Sequence, residues 1–107
     1  MKKKVIYNEV YDTEFIFIIS KSRDKVFQKY GIEWNEWGGC CDFHEKIFII
    51  VHPDAGLDVL VHECDHAVSE LWKILGIEKI KGVDECYSYM LGWLFNECKK
   101  FRKQNKK

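Results

Sequence analysis

The chain has 107 residues, 47% of them hydrophobic and 15% aromatic, with 17 basic and 17 acidic side chains. That balance excludes a disordered polymer, and the length suits one domain with one modest core. The zero formal charge is unevenly placed: Lys99, Lys100, Arg102, Lys103, Lys106 and Lys107 leave residues 1–98 with eleven positive against seventeen negative charges.

Chain organisation follows from this. Residues 1–98 are expected to form a single domain and residues 99–107 a basic C-terminal tail, the frayed, solubilising end of the last helix; a nucleic-acid partner is not expected. The apolar residues after Met1-Lys2-Lys3-Lys4 are broken by Asn8, Glu9, Asp12 and Glu14, so neither a signal peptide nor a membrane span is predicted. Five cysteines cannot all pair within one chain. They are read as reduced thiols of a cytoplasmic protein.

Val5 to Tyr11 and Glu14 to Ser20 read as strands, rich in Val, Ile, Phe and Tyr, joined by a short turn at Asp12-Thr13. Phe15, Phe17 and Ile19 share one face and Ile16 and Ile18 the other, so this strand is expected to be covered on both sides. Ser20 or Ser22 caps a short helix, Arg23 to Tyr30, with Val26, Phe27 and Tyr30 on its apolar face and Gly31 ending it. Residues 31–39 read as a loop whose Trp34 and Trp37 either plug the core, the preferred reading, or line a substrate groove. Cys40 to Phe43 and Lys46 to His52 form a hairpin around His44-Glu45. Its second strand carries the run Ile47-Phe48-Ile49-Ile50-Val51 of a central strand, and Pro53 ends it. Cys40, Cys41 and His44 are close in sequence but lack the usual spacing of a zinc cluster.

The next segment carries the chemistry. Leu57, Leu60, Val61, Val68, Leu71, Trp72 and Leu75 recur at helical spacing, with Asp54 as the expected N-cap and Gly76 as the stop. On that helix stands His62-Glu63-Cys64-Asp65-His66, the H-E-x-x-H arrangement. Side chains at i and i+4 lie on one face about 5–6 Å apart, so His62 and His66 can bind one Zn²⁺ while Glu63, beside the metal, serves as general base. Asp65 can fix a histidine tautomer or face solvent.

A site of this type needs a third protein ligand. Asp84 and Glu85 open a second helical pattern that runs through Tyr87, Tyr89, Met90, Gly92 and Leu94. Glu85, Tyr89, Gly92 and Asn96 share a face on a 3.6 period, and Gly92 would let this helix approach the histidine helix closely. Glu85 is therefore the expected ligand and Asp84 its supporting partner or substitute. Tyr89, Tyr87, His52 and His44 are all open as donors to an oxyanion.

His62-Glu63-x-x-His66 followed by Glu85 on a helix continuing Tyr87-x-x-Met90-x-Gly92-x-Leu94 resembles the gluzincin metallopeptidases, within them the ImmA/IrrE type and the short metallopeptidase-like proteins of phages and mobile elements. The likeness covers roughly residues 21–98. It implies a zincin-like α+β fold: a small, mostly antiparallel sheet packed against a helix, the H-E-x-x-H helix and a C-terminal helix. It implies metal ligands at His62, His66 and Glu85, the catalytic glutamate at Glu63, Zn²⁺ as cofactor, and a protein or peptide substrate. The alternatives are a non-catalytic zinc-binding gluzincin scaffold that works by binding a protein partner, and a structural zinc domain in which Cys64 or Cys86 closes the coordination. Cys64 lies about 200° around the helix from His62, which argues against it.

Overall fold

The computed structural model describes residues 1–34, 38–43, 46–77 and 84–105, with the side chains of residues 40–43 and 84 outside the description. Trp37, His44 and the connection across residues 78–83 therefore lie outside the described residues, as do the side chains of Cys40, Cys41 and Asp84.

The elements run β1 (Lys2–Asn8), β2 (Thr13–Ile19), α1 (Arg23–Tyr30), β3 (Gly38–Phe43), β4 (Lys46–Val51), α2 (Leu57–Leu75) and α3 (Asp84–Gln104). This is an α+β chain. The four strands form one sheet in the order β1-β2-β4-β3. The pairs β1–β2 and β3–β4 are antiparallel hairpins, while the central pair β2–β4 is parallel, so the sheet is mixed. The parallel pairing follows from the crossover through α1 and β3, which returns the chain to run alongside β2.

The long apolar runs of β2 and β4 are explained by burial on both faces. In register, Phe15 stands beside Ile47, Phe17 beside Ile49 and Ile19 beside Val51. These face Leu60, Cys64, Val68, Leu71 and Trp72 of α2 and Met90, Leu94 and Cys98 of α3. The alternating set, Ile16, Ile18, Phe48 and Ile50, faces Val26 of α1 with Ile32 and Trp34. The molecule is thus layered, with α1 on one side of the sheet and α2 and α3 on the other. Each such side chain, fully buried, contributes about 1.5–3 kcal/mol of hydrophobic free energy.

Local signals set most helix ends. Ser22 caps α1, its side chain accepting from the Lys25 N–H, and Gly31 closes it at φ 71°. Gly76 ends α2 with the same left-handed geometry, which glycine adopts without a Cβ penalty. Other expectations need correction. Phe27 is not on the buried face of α1; it is half exposed, and Val26 alone on that helix is fully buried. The helix α2 starts at Leu57 with Gly56 as N-cap, not at Asp54. The reason lies in residues 53–55: the Asp54 N–H bonds His52 Nδ1, and the Ala55 carbonyl takes the Arg102 guanidinium, so both groups are spent outside the helix. The basic run is not frayed at Lys99 either, because α3 continues to Gln104 with Phe101 packed on Phe17.

Candidate active site

The helix α2 is amphipathic in a way that sorts its functional residues. Leu60, Cys64, Ala67, Val68, Leu71 and Trp72 point into the core, and this fixes the rotation of the helix. His62 and His66 are then exposed on the opposite side, one turn apart. Their Nε2 atoms stand 3.0 Å from each other, with ring planes at 89°. Two nitrogens on one tetrahedral Zn²⁺, at about 2.0–2.1 Å each, stand about 3.3 Å apart. The two rings are within hydrogen-bond distance of each other, a separation also close to the one that two zinc ligands need.

Glu63 sits between these surfaces. It is the one buried charged side chain among the described residues, at 7% exposure. Burial pushes its carboxyl pKa up, while His66 and then His62 pull it down. A carboxylate so placed is a better base than one in water. What covers it is the edge strand: a Cβ added to Gly38 would come 2.9 Å from Glu63 Cγ and 2.9 Å from Val59 Cγ1. The backbone of β3 thus lies directly on Glu63, and only a residue without a side chain permits it. Sequence reading placed Gly38 in a loop and missed this role; the signal was the Gly38-Gly39 pair itself, since an isolated glycine in a strand often marks a close backbone approach.

The second helix brings a different residue to α2 from the one expected. Tyr87, Met90, Leu94 and Cys98 are the buried stripe of α3. The face bearing Glu85, Tyr89, Gly92 and Asn96 is exposed, and nothing lies within 4 Å of a Cβ built on Gly92. Gly92 therefore does not mediate close helix packing. Glu85, about 200° around the helix from Tyr87, is exposed, and among the described residues no group of three or more His, Cys, Asp or Glu side chains gathers at metal-binding distance. The structure brings His62, His66 and Glu63 together and does not bring Glu85 to them.

Tyr87 instead ties α3 to α2. Its hydroxyl lies 2.5 Å from Asp65 Oδ1 and 2.7 Å from Ser69 Oγ, and its ring packs edge-on against Trp72. Asp65 is thus engaged by Tyr87. The candidates for oxyanion donor sort accordingly. The Tyr87 hydroxyl is committed to this network. His52 Nδ1 accepts from Asp54, and Tyr89, 74% exposed, lines a groove with Tyr7 and Val10. Cys64 is in the core, where its hydrogen bond to Cys98, with burial, pushes the Cys98 thiol well above its ordinary range. That removes Cys64 as a metal ligand. Cys86 is exposed and free.

The Tyr87 network makes a stability prediction. Burial first, then the bond to Asp65, push the Tyr87 pKa up to about 12, against a lowering by Ser69. The folded state therefore favours the neutral phenol. Its contribution is complete below the unfolded value of about 10 and is lost as pH rises through about 12, because the unfolded chain ionises first. Tyr87→Phe is expected to cost about 1–3 kcal/mol at neutral pH by stranding partly buried partners. Urea unfolding across this alkaline range should also show a shallower loss of stability in the variant than in wild type. Equal stabilities at neutral pH would show that the network contributes nothing.

No protein-family model, curated protein or solved structure matches the chain. No helix among the described residues is long and apolar enough to cross a membrane.

Proposed function

We propose that the chain is a small zinc-dependent hydrolase acting on a peptide bond, with a zincin-like arrangement of sheet and helices. The observation that carries this reading is the 3.0 Å convergence of His62 and His66 Nε2 beside the buried carboxylate of Glu63. His62 and His66 would hold Zn²⁺; Glu85, exposed and apart from them in this structure, is proposed as the third protein donor on the condition that the start of α3 turns toward the pair when metal binds. Bound there, Zn²⁺ would supply a Lewis acid for a scissile carbonyl and lower the pKa of water toward about 7.

The chain's own residues would do the rest. Glu63 would take a proton from the attacking water and pass it to the leaving amine, a task helped by its raised pKa. Trp72 and Tyr87 hold the relation between α2 and α3. β3, whose backbone covers Glu63 at Gly38, is an edge strand of the sheet, beside which an extended peptide could add as a further strand. A protein or peptide is therefore the proposed substrate.

One observation favours a second reading. The histidine pair is not joined by a third donor among the described residues. A gluzincin-shaped scaffold that holds zinc weakly and acts by binding a protein partner fits that arrangement.

Elemental analysis of the purified protein tests the proposal. Wild type is expected to carry about one zinc per chain, as a three-ligand site requires, and His62→Ala to carry none. Weakened zinc retention in Glu85→Ala would place Glu85 in the ligand set. A wild type that neither contains zinc nor takes it up would overturn the hydrolase reading, and zinc held equally by Glu85→Ala would remove Glu85 from the ligand set.

A further inference from the structure

A second feature lies apart from the histidine pair. Four segments remote in sequence meet at one end of the fold: the start of β1, the β2–α1 link, the β4–α2 link and the last turns of α3. Pairing of Lys2 with Ile19 brings the first two together, and the Ser20 N–H bonds the Val51 carbonyl at 3.1 Å to bring in the third. Arg102 closes the ring by donating to the Ala55 carbonyl. Between them is a half-enclosed cavity of about 580 Å³. That volume falls within the range of about 300–1,000 Å³ usual for small-molecule sites.

The lining is charged in one sense. Lys2, Lys21, Lys25 and Arg102 contribute four cations, against one carboxylate, that of Asp54. Among the described residues Lys2, Lys21 and Lys25 make no ion pair. Elsewhere Lys73 and Lys100 are paired with Glu70 and Glu97 on their own helices. Unpaired like charges crowded around one cavity repel each other, and an anion relieves that cost. The wall is not wholly polar, because Ile19 and Pro53 also face the cavity. A cavity with a cationic rim and an apolar wall suits a ligand with a compact polyanionic head and an organic body. Lysine is a common point-charge partner of phosphate. A half-enclosed cavity of this kind fits a small molecule better than the flat basic stripe that tracks a nucleic-acid backbone.

We propose that this pocket binds a small organic phosphate, with Lys21 and Lys25 on the phosphate and Ile19 and Pro53 against its organic part. The site is independent of the metal site and of the hydrolase reading. Isothermal titration at low ionic strength tests it, with adenosine diphosphate and inorganic pyrophosphate as probes and sodium chloride at matched ionic strength as control. Adenosine diphosphate is expected to bind more tightly than pyrophosphate, because the apolar wall adds to the charge. The double variant Lys21→Gln/Lys25→Gln should weaken both by about tenfold or more. Lys73→Gln/Lys100→Gln, which removes equal charge elsewhere, should leave both unchanged. These lysines are surface groups outside the core, and thermal melts verify that both variants fold. Binding of neither probe above the chloride control overturns the proposal. So does equal affinity in the Lys21/Lys25 variant, or tighter binding of a single-stranded oligonucleotide than of adenosine diphosphate.

Discussion

Glu63→Gln is expected to abolish cleavage of a proteome-derived peptide library, read by mass spectrometry, while zinc content stays at the wild-type level. The amide keeps the shape of the side chain under β3 and removes its ability to take a proton. General base catalysis supplies about 10²–10⁴-fold in rate, so residual cleavage should fall to the background. The burial of Glu63 makes the swap well tolerated, since a neutral amide costs less to desolvate than a carboxylate. Gly38→Ala is the companion change. Its methyl group would meet Glu63 Cγ and Val59 Cγ1 at 2.9 Å, so the side chain or the strand must move. It should lower cleavage with zinc retained, because Glu63, the proposed base, is displaced and the histidines are not. Wild-type cleavage by Glu63→Gln would refute the role of Glu63. In a scaffold that works only by binding, both variants would bind a partner as wild type does, with no cleavage to lose.

Trp72→Ala is expected to have the largest effect on stability. Trp72 is 2% exposed and meets Tyr11 at 5.4 Å and Tyr87 at 5.6 Å between ring centroids, both edge-on. It therefore joins α2 to the β1–β2 turn and to α3 at once. Truncating a buried aromatic of this size costs about 3–5 kcal/mol, a large fraction of the roughly 5–15 kcal/mol that holds a domain folded. Thermal unfolding should shift down by well over 10 °C, at about 4–8 °C per kcal/mol for a domain near this size. Phe27→Ala, at a half-exposed aromatic of α1, should shift it by little. Similar melting points for the two variants would mean that the α2–α3 contact is not where the stability lies.

What the amino-acid order determined by itself is local. The helix Arg23–Tyr30 begins after Ser22 and ends at Gly31 because the serine oxygen and the left-handed glycine act within a few residues of their own position. The run Ile47 to Val51 identifies β4 as an interior strand because only a strand buried on both faces lacks polar alternation. The placement of His62 and His66 on one helix face follows from the i, i+4 spacing alone, whatever the rest of the chain does.

Tertiary packing decided the rest, because rotation about a helix axis is set by what the helix buries. For α3 the helical period singled out the face of Glu85, Tyr89, Gly92 and Asn96. The stripe of Tyr87, Met90, Leu94 and Cys98 carries the larger apolar surface, and burying it turned Glu85 outward. Asp65 had two sequence-level roles, and the approach of Tyr87 from a segment 22 residues away selected a third. Gly38 acquired its meaning only when β3 closed over Glu63. The cationic pocket needed four chain segments to meet, and no short window of sequence contains more than two of its cations. Contacts between distant residues carry no local signature, so these features became visible only in the folded chain.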